Sequence, residues 1–102
     1  MKDNHLVLTL NYRIMNEEIV KAIVKDMNDE FDSHDFIKKF IWRNPKDYGE
    51  LLIKHENVTR AHAEISNFLL NHANSLGIEK AGEDGSDDIF GHVTPCAKWK
   101  KY

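Results

Sequence analysis

Apolar residues recur at every second position near the start of the chain, and polar or smaller residues stand between them. The apolar set is Leu6, Leu8, Leu10, Tyr12 and Ile14. A period of two that includes an aromatic residue, with β-branched residues interleaved, is typical of a strand that buries one face. The sequence therefore predicts an N-terminal strand over residues 6–14.

The apolar spacing then changes from that of a strand to that of a helix. Asn16 is a good N-cap residue, and Glu17 and Glu18 follow in the first turn, where the helix dipole favours acidic side chains. Steps of three and four relate the apolar residues Ile19, Val20, Ile23, Val24, Met27 and Phe31. The pattern predicts an amphipathic helix over residues 16–31.

Two further helices are predicted in the middle of the chain. Asp32 or Ser33 can cap a helix over residues 35–42, whose apolar face would contain Phe36, Ile37, Phe40 and Ile41. The next helix is predicted to begin at Pro45 after Asn44, since proline is favoured at the first helical position. It extends over residues 45–54.

A fourth helix is predicted over residues 60–76, with Thr59 as its cap and Gly77 in the left-handed position just past its end. Its apolar stripe consists of Ala61, Ile65, Phe68, Leu69 and Leu76, with His72 among them. Its opposite side carries Arg60, Glu64, Asn67, Asn71 and Asn74.

The remainder of the chain predicts a β-hairpin. Residues 78–81 and 89–93 have strand character, and the acidic, glycine-containing run over residues 82–88 is typical of a loop. After Pro95 we expect a basic tail over residues 96–102 with Lys98, Lys100 and Lys101.

The length and composition agree with one small folded domain. The chain has 102 residues, of which 41% are hydrophobic and 30% charged, so it can bury a core and does not have a disordered composition. We expect residues 1–102 to form a single domain, in which residues 1–32 extend a core made of residues 33–102. The apolar runs are too short for a membrane span and no charged-then-apolar leader is seen, which favours a cytoplasmic protein without a membrane partner.

In the order of its elements, a strand, four helices and a hairpin, the chain resembles the winged helix-turn-helix family over residues 33–99. The fold class expected is thus α+β and winged-helix-like. By this resemblance, residues 35–42 and 45–54 correspond to the first two family helices, residues 60–76 to the recognition helix, and residues 78–93 to the wing. In that family the third helix enters the DNA major groove and the wing touches the backbone beside it.

Double-stranded DNA is accordingly the first partner to consider. Arginine can bridge guanine and asparagine can bridge adenine, so Arg60, Asn67 and Asn71 suit base reading. Phosphate contacts are expected from basic residues, namely Lys54, Lys38 and Lys98. The segment 34–62 supports this view, since it carries six Lys and Arg against four Asp and Glu. A solvated polar face is the simpler explanation of the same residues.

The alternative function is a protein-interaction module on the same scaffold, with a partner protein or a second copy of the chain. The net charge is −3, and the expected wing tip is acidic at Glu83, Asp84, Asp87 and Asp88, where it would repel phosphates. Both observations favour a protein partner over DNA.

Cofactors, metals and catalysis are not predicted. His55, His62 and His72 do not have the spacing of metal ligands, and a single cysteine, Cys96, cannot form a thiolate cluster or a disulfide within the chain. No phosphate-binding loop or nucleotide fingerprint occurs. Trp42 and Trp99 are predicted to be partly buried anchors.

Overall fold

The computed structural model describes residues 15–102, so the strand predicted over residues 6–14 lies outside the described part of the chain. Within residues 15–102 the fold is α+β, as predicted, with five helices and three strands. The helices are α1 (Glu17–Asp26), α2 (Ser33–Arg43), α3 (Pro45–His55), α4 (Val58–Asn71) and α5 (Ala73–Leu76), and the strands are β1 (Glu30–Asp32), β2 (Ile78–Asp87) and β3 (Val93–Lys101). No helix in this range combines the length and the apolar character that crossing a membrane requires.

Helix α1 begins where the sequence predicts but ends earlier. The side chain of Asn16 accepts a hydrogen bond from the backbone N–H of Ile19 at 3.0 Å, which confirms the predicted cap. The helix stops at Asp26, and Phe31 lies in β1 rather than in the last helical turn. Phe31 is buried opposite Trp99 in the sheet, so its apolar character reflects strand burial and the predicted end of the helix is wrong.

Helices α2 and α3 follow the prediction closely. Asp32 caps α2 by accepting from the backbone N–H of Asp35 at 2.8 Å, while the Asp35 carboxylate accepts from the backbone N–H of Asp32 at 3.3 Å. This reciprocal arrangement satisfies two backbone donors at once. Helix α3 begins at Pro45, as predicted.

Helix α4 begins two residues before the predicted start. Its cap is Asn57, whose side chain accepts from the backbone N–H of Arg60 at 3.0 Å, so the prediction of Thr59 as the cap is wrong. The helix ends at Asn71, and the short α5 carries the chain on to Gly77. Gly77 has φ +74°, which confirms the predicted left-handed residue.

The three strands form one antiparallel sheet in the order β1-β3-β2. The segment predicted to be a basic tail is the central strand β3, and the segment predicted to be an acidic loop belongs to the edge strand β2. A register shift between Lys80 and Glu83 interrupts the β2–β3 pairing. The prediction of a second strand over residues 89–93 is wrong, since the turn comprises residues 88–92 and β3 begins at Val93, and the hairpin is longer than predicted.

One hydrophobic core joins the helices to the sheet. Trp99 is only 1% exposed, and its indole N–H donates to the Ser33 hydroxyl at 3.0 Å. Trp42, in contrast, is 82% exposed at the end of α2, so the prediction that it is partly buried is wrong. The fully buried apolar residues of α4 are Ala61, Ile65 and Leu69, as the apolar stripe predicts.

Candidate functional site

Helix α4 presents polar side chains to solvent on the side opposite its buried stripe. Arg60, Asn67 and Asn71 are all exposed. Within residues 15–102 their side chains make no hydrogen bond or ion pair. The structure thus brings these three predicted residues together on one accessible surface, which we call the α4 face.

A contact between Tyr48 and His62 fixes α4 against α3. The Tyr48 hydroxyl lies 2.8 Å from Nε2 of His62. Burial lowers the pKa of His62, nearby His34 adds to this, and Asp88 opposes it. Burial also raises the pKa of Tyr48. A neutral imidazole can accept a hydrogen bond from the tyrosine hydroxyl, so the pair joins the two helices without a net charge.

Lys54 and His55, at the end of α3, both contact Glu64 of α4. The distances from the Glu64 carboxylate oxygen to Lys54 Nζ and His55 Nε2 are 2.9 and 2.6 Å. Burial raises the pKa of Glu64, but hydrogen bonds and charges from Lys54 and His55 outweigh it, so the pKa is lowered overall. Lys54 therefore lies near the α4 face, where it compensates the one acidic side chain of that helix.

The Glu64 network predicts how stability responds to acid. Because the pKa of Glu64 is lower in the folded than in the unfolded chain, its contribution to stability is complete at neutral pH. That contribution is lost as the pH falls below about 4.3, the ordinary glutamate value, and through the lowered folded-state value. Glu64→Gln is expected to lose less stability than the native chain between neutral pH and about pH 3.

Urea denaturation at several pH values measures this difference. Glu50→Gln is a matched control, since Glu50 is exposed on α3 and forms no ion pair within residues 15–102. It should reproduce the native pH dependence. An equal loss of stability on acidification in Glu64→Gln and the native chain would show that the network does not stabilise the carboxylate.

Two predicted phosphate contacts are not joined to the α4 face. Lys38 is exposed on α2, and Lys98 of β3 pairs with Glu30 of β1 at 3.3 Å. Over the described range 15–102, no hydrogen bond or ion pair connects either lysine to Arg60, Asn67 or Asn71. The residues predicted to contact DNA therefore lie in three separate places. One group lies on α4 and at the end of α3, Lys38 lies on α2, and Lys98 lies in the sheet.

A groove of about 390 Å³ separates α4 from the β2–β3 hairpin. We call it the hairpin groove. Its α4 wall includes Ser66, Asn67 and Leu70, and its hairpin wall includes Ile89 and Phe90. Leu70 and Phe90 are 53% and 62% exposed, so the rim of the groove is apolar.

A polar cluster joins the start of α2 to the hairpin at this groove. His34 Nδ1 lies 2.9 Å from the Ser86 hydroxyl, and Nε2 lies 3.2 Å from the Thr94 hydroxyl. The Ser86 hydroxyl is also 3.7 Å from the Cys96 sulfur. Each of Asp32, His34 and Cys96 offers one atom that could bind a metal ion, and these three atoms lie within 4.8 Å of one another. Local spacing did not predict this cluster, because Cys96 follows His34 by 62 positions and only strand pairing brings them together.

The acidic residues of the hairpin lie mostly along β2 and not at its tip. Glu83 and Asp87 are exposed on the edge strand, and Lys80 pairs with Glu83 at 3.0 Å. In the turn, Asp88 accepts from the backbone N–H groups of Phe90 and His92. Burial raises the pKa of Asp88, and these backbone donors outweigh it and lower the pKa. The predicted acidic wing tip is thus an acidic strand that leads to a turn with an exposed phenylalanine.

Comparison of the chain with models of protein families, with curated proteins and with solved structures gives no match.

Proposed function

We propose that the protein binds double-stranded DNA through the α4 face. The observation that carries this proposal is the set of three exposed, unengaged side chains, Arg60, Asn67 and Asn71, on one side of a 14-residue helix. Their hydrogen-bonding groups are available to a partner, and their chemistry matches the donors and acceptors of base edges.

The support of α4 by its neighbours favours this function. Asn57 fixes its first turn, while Tyr48 and the Lys54–Glu64 pair attach it to α3. A DNA-contacting helix that is already held rigidly loses little conformational freedom when it binds. An α-helix with its side chains is about 10–12 Å in diameter, which fits the major groove, about 12 Å wide.

The charge distribution sets the mode of binding that we propose. The exposed carboxylates of β2 repel phosphates, so the hairpin does not lie on the DNA backbone as a wing does in the winged helix-turn-helix family. Arg60 supplies positive charge on the α4 face, Lys54 offsets the charge of Glu64, and Lys38 carries a separate positive charge on α2. With few phosphate contacts, we expect modest affinity and a shallow salt dependence.

Arg60→Ala is expected to weaken DNA binding by about tenfold or more, since a bidentate arginine contact is worth about 1–3 kcal/mol. Electrophoretic mobility of random duplex DNA at low salt, with up to about 100 µM protein, covers the range in which non-specific binders engage. The control is Lys25→Ala, which removes the same charge from an exposed position on α1.

Two results would contradict the proposal. One is the lack of any shift of duplex DNA by the native protein under these conditions. The other is an equal loss of binding in Arg60→Ala and Lys25→Ala, because this would mean that binding depends on charge alone and not on the α4 face.

The second candidate function is protein binding at the hairpin groove. It rests on the apolar rim formed by Leu70 and Phe90 beside the carboxylates of β2, a combination that suits a partner segment with apolar and basic side chains. The two candidates share Asn67 but are distinguished by Arg60 and Phe90. Binding of a protein partner would be sensitive to Phe90→Ser and insensitive to Arg60→Ala.

A further inference from the structure

Three side chains of different chemistry converge where α2 meets the hairpin. They are the Asp32 carboxylate, the His34 imidazole and the Cys96 sulfur, and one ligand atom of each lies within 4.8 Å of the others. We propose that these three residues bind a zinc ion.

The donor set favours Zn²⁺ over the hard cations. Thiolate, imidazole and carboxylate are the three side-chain ligands that Zn²⁺ uses in proteins, whereas Mg²⁺ and Ca²⁺ prefer oxygen alone. An ionised carboxylate and a thiolate balance the two positive charges of the ion, and the neutral imidazole adds none. The bound site would therefore carry no net charge, which suits its half-buried to buried residues.

The separation of the ligand atoms is close to what the ion needs. With bonds of about 2.0–2.3 Å, the ligands of a tetrahedral zinc ion lie roughly 3.3–3.7 Å apart. The observed limit of 4.8 Å requires a contraction of about 1 Å. A change of side-chain torsion angles in Cys96 and Asp32 is the adjustment that the proposal requires.

The surroundings of His34 resemble those of a metal-binding histidine. Nδ1 lies 2.9 Å from the Ser86 hydroxyl and 3.1 Å from the Ser86 carbonyl oxygen, and Nε2 lies 3.2 Å from the Thr94 hydroxyl. Because a carbonyl oxygen can only accept, Nδ1 would donate to Ser86 and hold the ring in place, and Nε2 would be the nitrogen that binds the ion. Such partners are a regular feature of metal-binding histidines.

Asp32 can contribute to the ion without giving up its structural role. It is 5% exposed, and its Oδ1 caps α2 by accepting from the backbone N–H of Asp35. Its Oδ2 accepts no hydrogen bond within residues 15–102. One oxygen therefore serves the helix, and the carboxylate still has an oxygen for the ion.

A zinc ion at this position would tie β1 and the start of α2 to the central strand β3. Three protein ligands leave the fourth tetrahedral position for water or for an external ligand. His34 and Cys96 line the hairpin groove and Asp32 does not, so these two ligands would place the ion at the wall of the groove. The bound ion would thus stabilise the attachment of the hairpin and place a Lewis acid at the wall of the groove.

Titration of the full-length, tag-free reduced protein with Co²⁺ and then Zn²⁺ tests this site. Co²⁺ alone should produce a thiolate charge-transfer band and tetrahedral d–d bands at one ion per chain, and Zn²⁺ should displace it. Zn²⁺ should also protect Cys96 from alkylation. Cys96→Ser should abolish the charge-transfer band, and His34→Gln should reduce Zn²⁺ affinity by more than about 100-fold, because even residues outside the coordination sphere contribute 10- to 100-fold.

The remaining variants distinguish a loss of zinc coordination from a failure of the chain to fold. Asp32→Asn keeps a good helix cap, so it should fold normally and bind Zn²⁺ more weakly. His92→Gln is the control, since His92 is an exposed histidine of the hairpin turn and is not one of the three proposed ligands, and it should bind as the native chain does. The proposal is overturned if Co²⁺ gives no thiolate band, or if Zn²⁺ affinity is the same in the native chain, Cys96→Ser and His34→Gln.

Discussion

Replacing Trp99 with alanine is expected to lower the free energy of unfolding by about 3–5 kcal/mol, the usual cost of deleting a buried aromatic side chain. Trp99 is the largest fully buried side chain and lies on the central strand, between Phe31 of β1 and Lys80 of β2. The substitution also removes the indole N–H that donates to the buried Ser33 hydroxyl. A loss of this size is a large part of the 5–15 kcal/mol that typically stabilises a small domain.

Trp42→Ala is the matched control for this substitution. Trp42 is 82% exposed, so its removal should change the free energy of unfolding by no more than about 0.5 kcal/mol. Urea denaturation followed by circular dichroism measures both variants independently of tryptophan fluorescence.

The fluorescence of the two variants gives a second check. Trp42→Ala retains the buried Trp99 and should emit at shorter wavelength than Trp99→Ala, which retains the exposed Trp42. Equal destabilisation by the two substitutions would contradict the placement of Trp99 in the core.

The four longer helices could be predicted from the sequence because each of them has an apolar stripe and at least one recognisable end. Asn16, Pro45 and Gly77 are all found at the positions predicted for them. These signals act over three or four residues, so they operate within the window that a sequence pattern samples. The cap of α4 was misplaced because Asn57 and Thr59 are both good cap residues, and the pattern alone does not choose between them.

The sheet was harder to predict because its strands lack the usual alternation. In β2 only Ile78 is buried and almost every other residue is exposed, so no apolar period marks the strand. Its acidic and glycine residues are typical of a loop, and pairing with β3 overrides that local tendency. Strand β1 has three residues, which is too short for any period to appear.

The α4 face and the proposed zinc site also differ in how far each can be predicted from the sequence. Arg60, Asn67 and Asn71 share a face because of helical periodicity, which can be seen in the sequence. The cluster of Asp32, His34 and Cys96 depends on the pairing of β1 with β3, between residues that are more than 60 positions apart. A single sequence contains no local signal for such a contact, so a metal site in this place could not be predicted from spacing.

The orientation of α4 is the premise that both proposed binding functions share. A helix rotated about its axis would bury Asn67 and expose part of the apolar stripe, and neither the α4 face nor the hairpin groove would then exist as described. Two adjacent leucines report this orientation, because Leu69 is fully buried and Leu70 is 53% exposed.

Leu69→Ala is expected to lower the free energy of unfolding by about 2–5 kcal/mol, as removal of a buried leucine side chain leaves a cavity in the core. Leu70→Ala should change it by about 0.5 kcal/mol or less, since most of that side chain remains in contact with water. Both substitutions exchange the same residue types in the same helix, so differences in helix propensity cancel. Urea denaturation of the two variants under identical conditions measures the contrast. If Leu70→Ala were the more destabilising of the two, α4 would have to present a different side to solvent, and Arg60, Asn67 and Asn71 could not form a common binding surface.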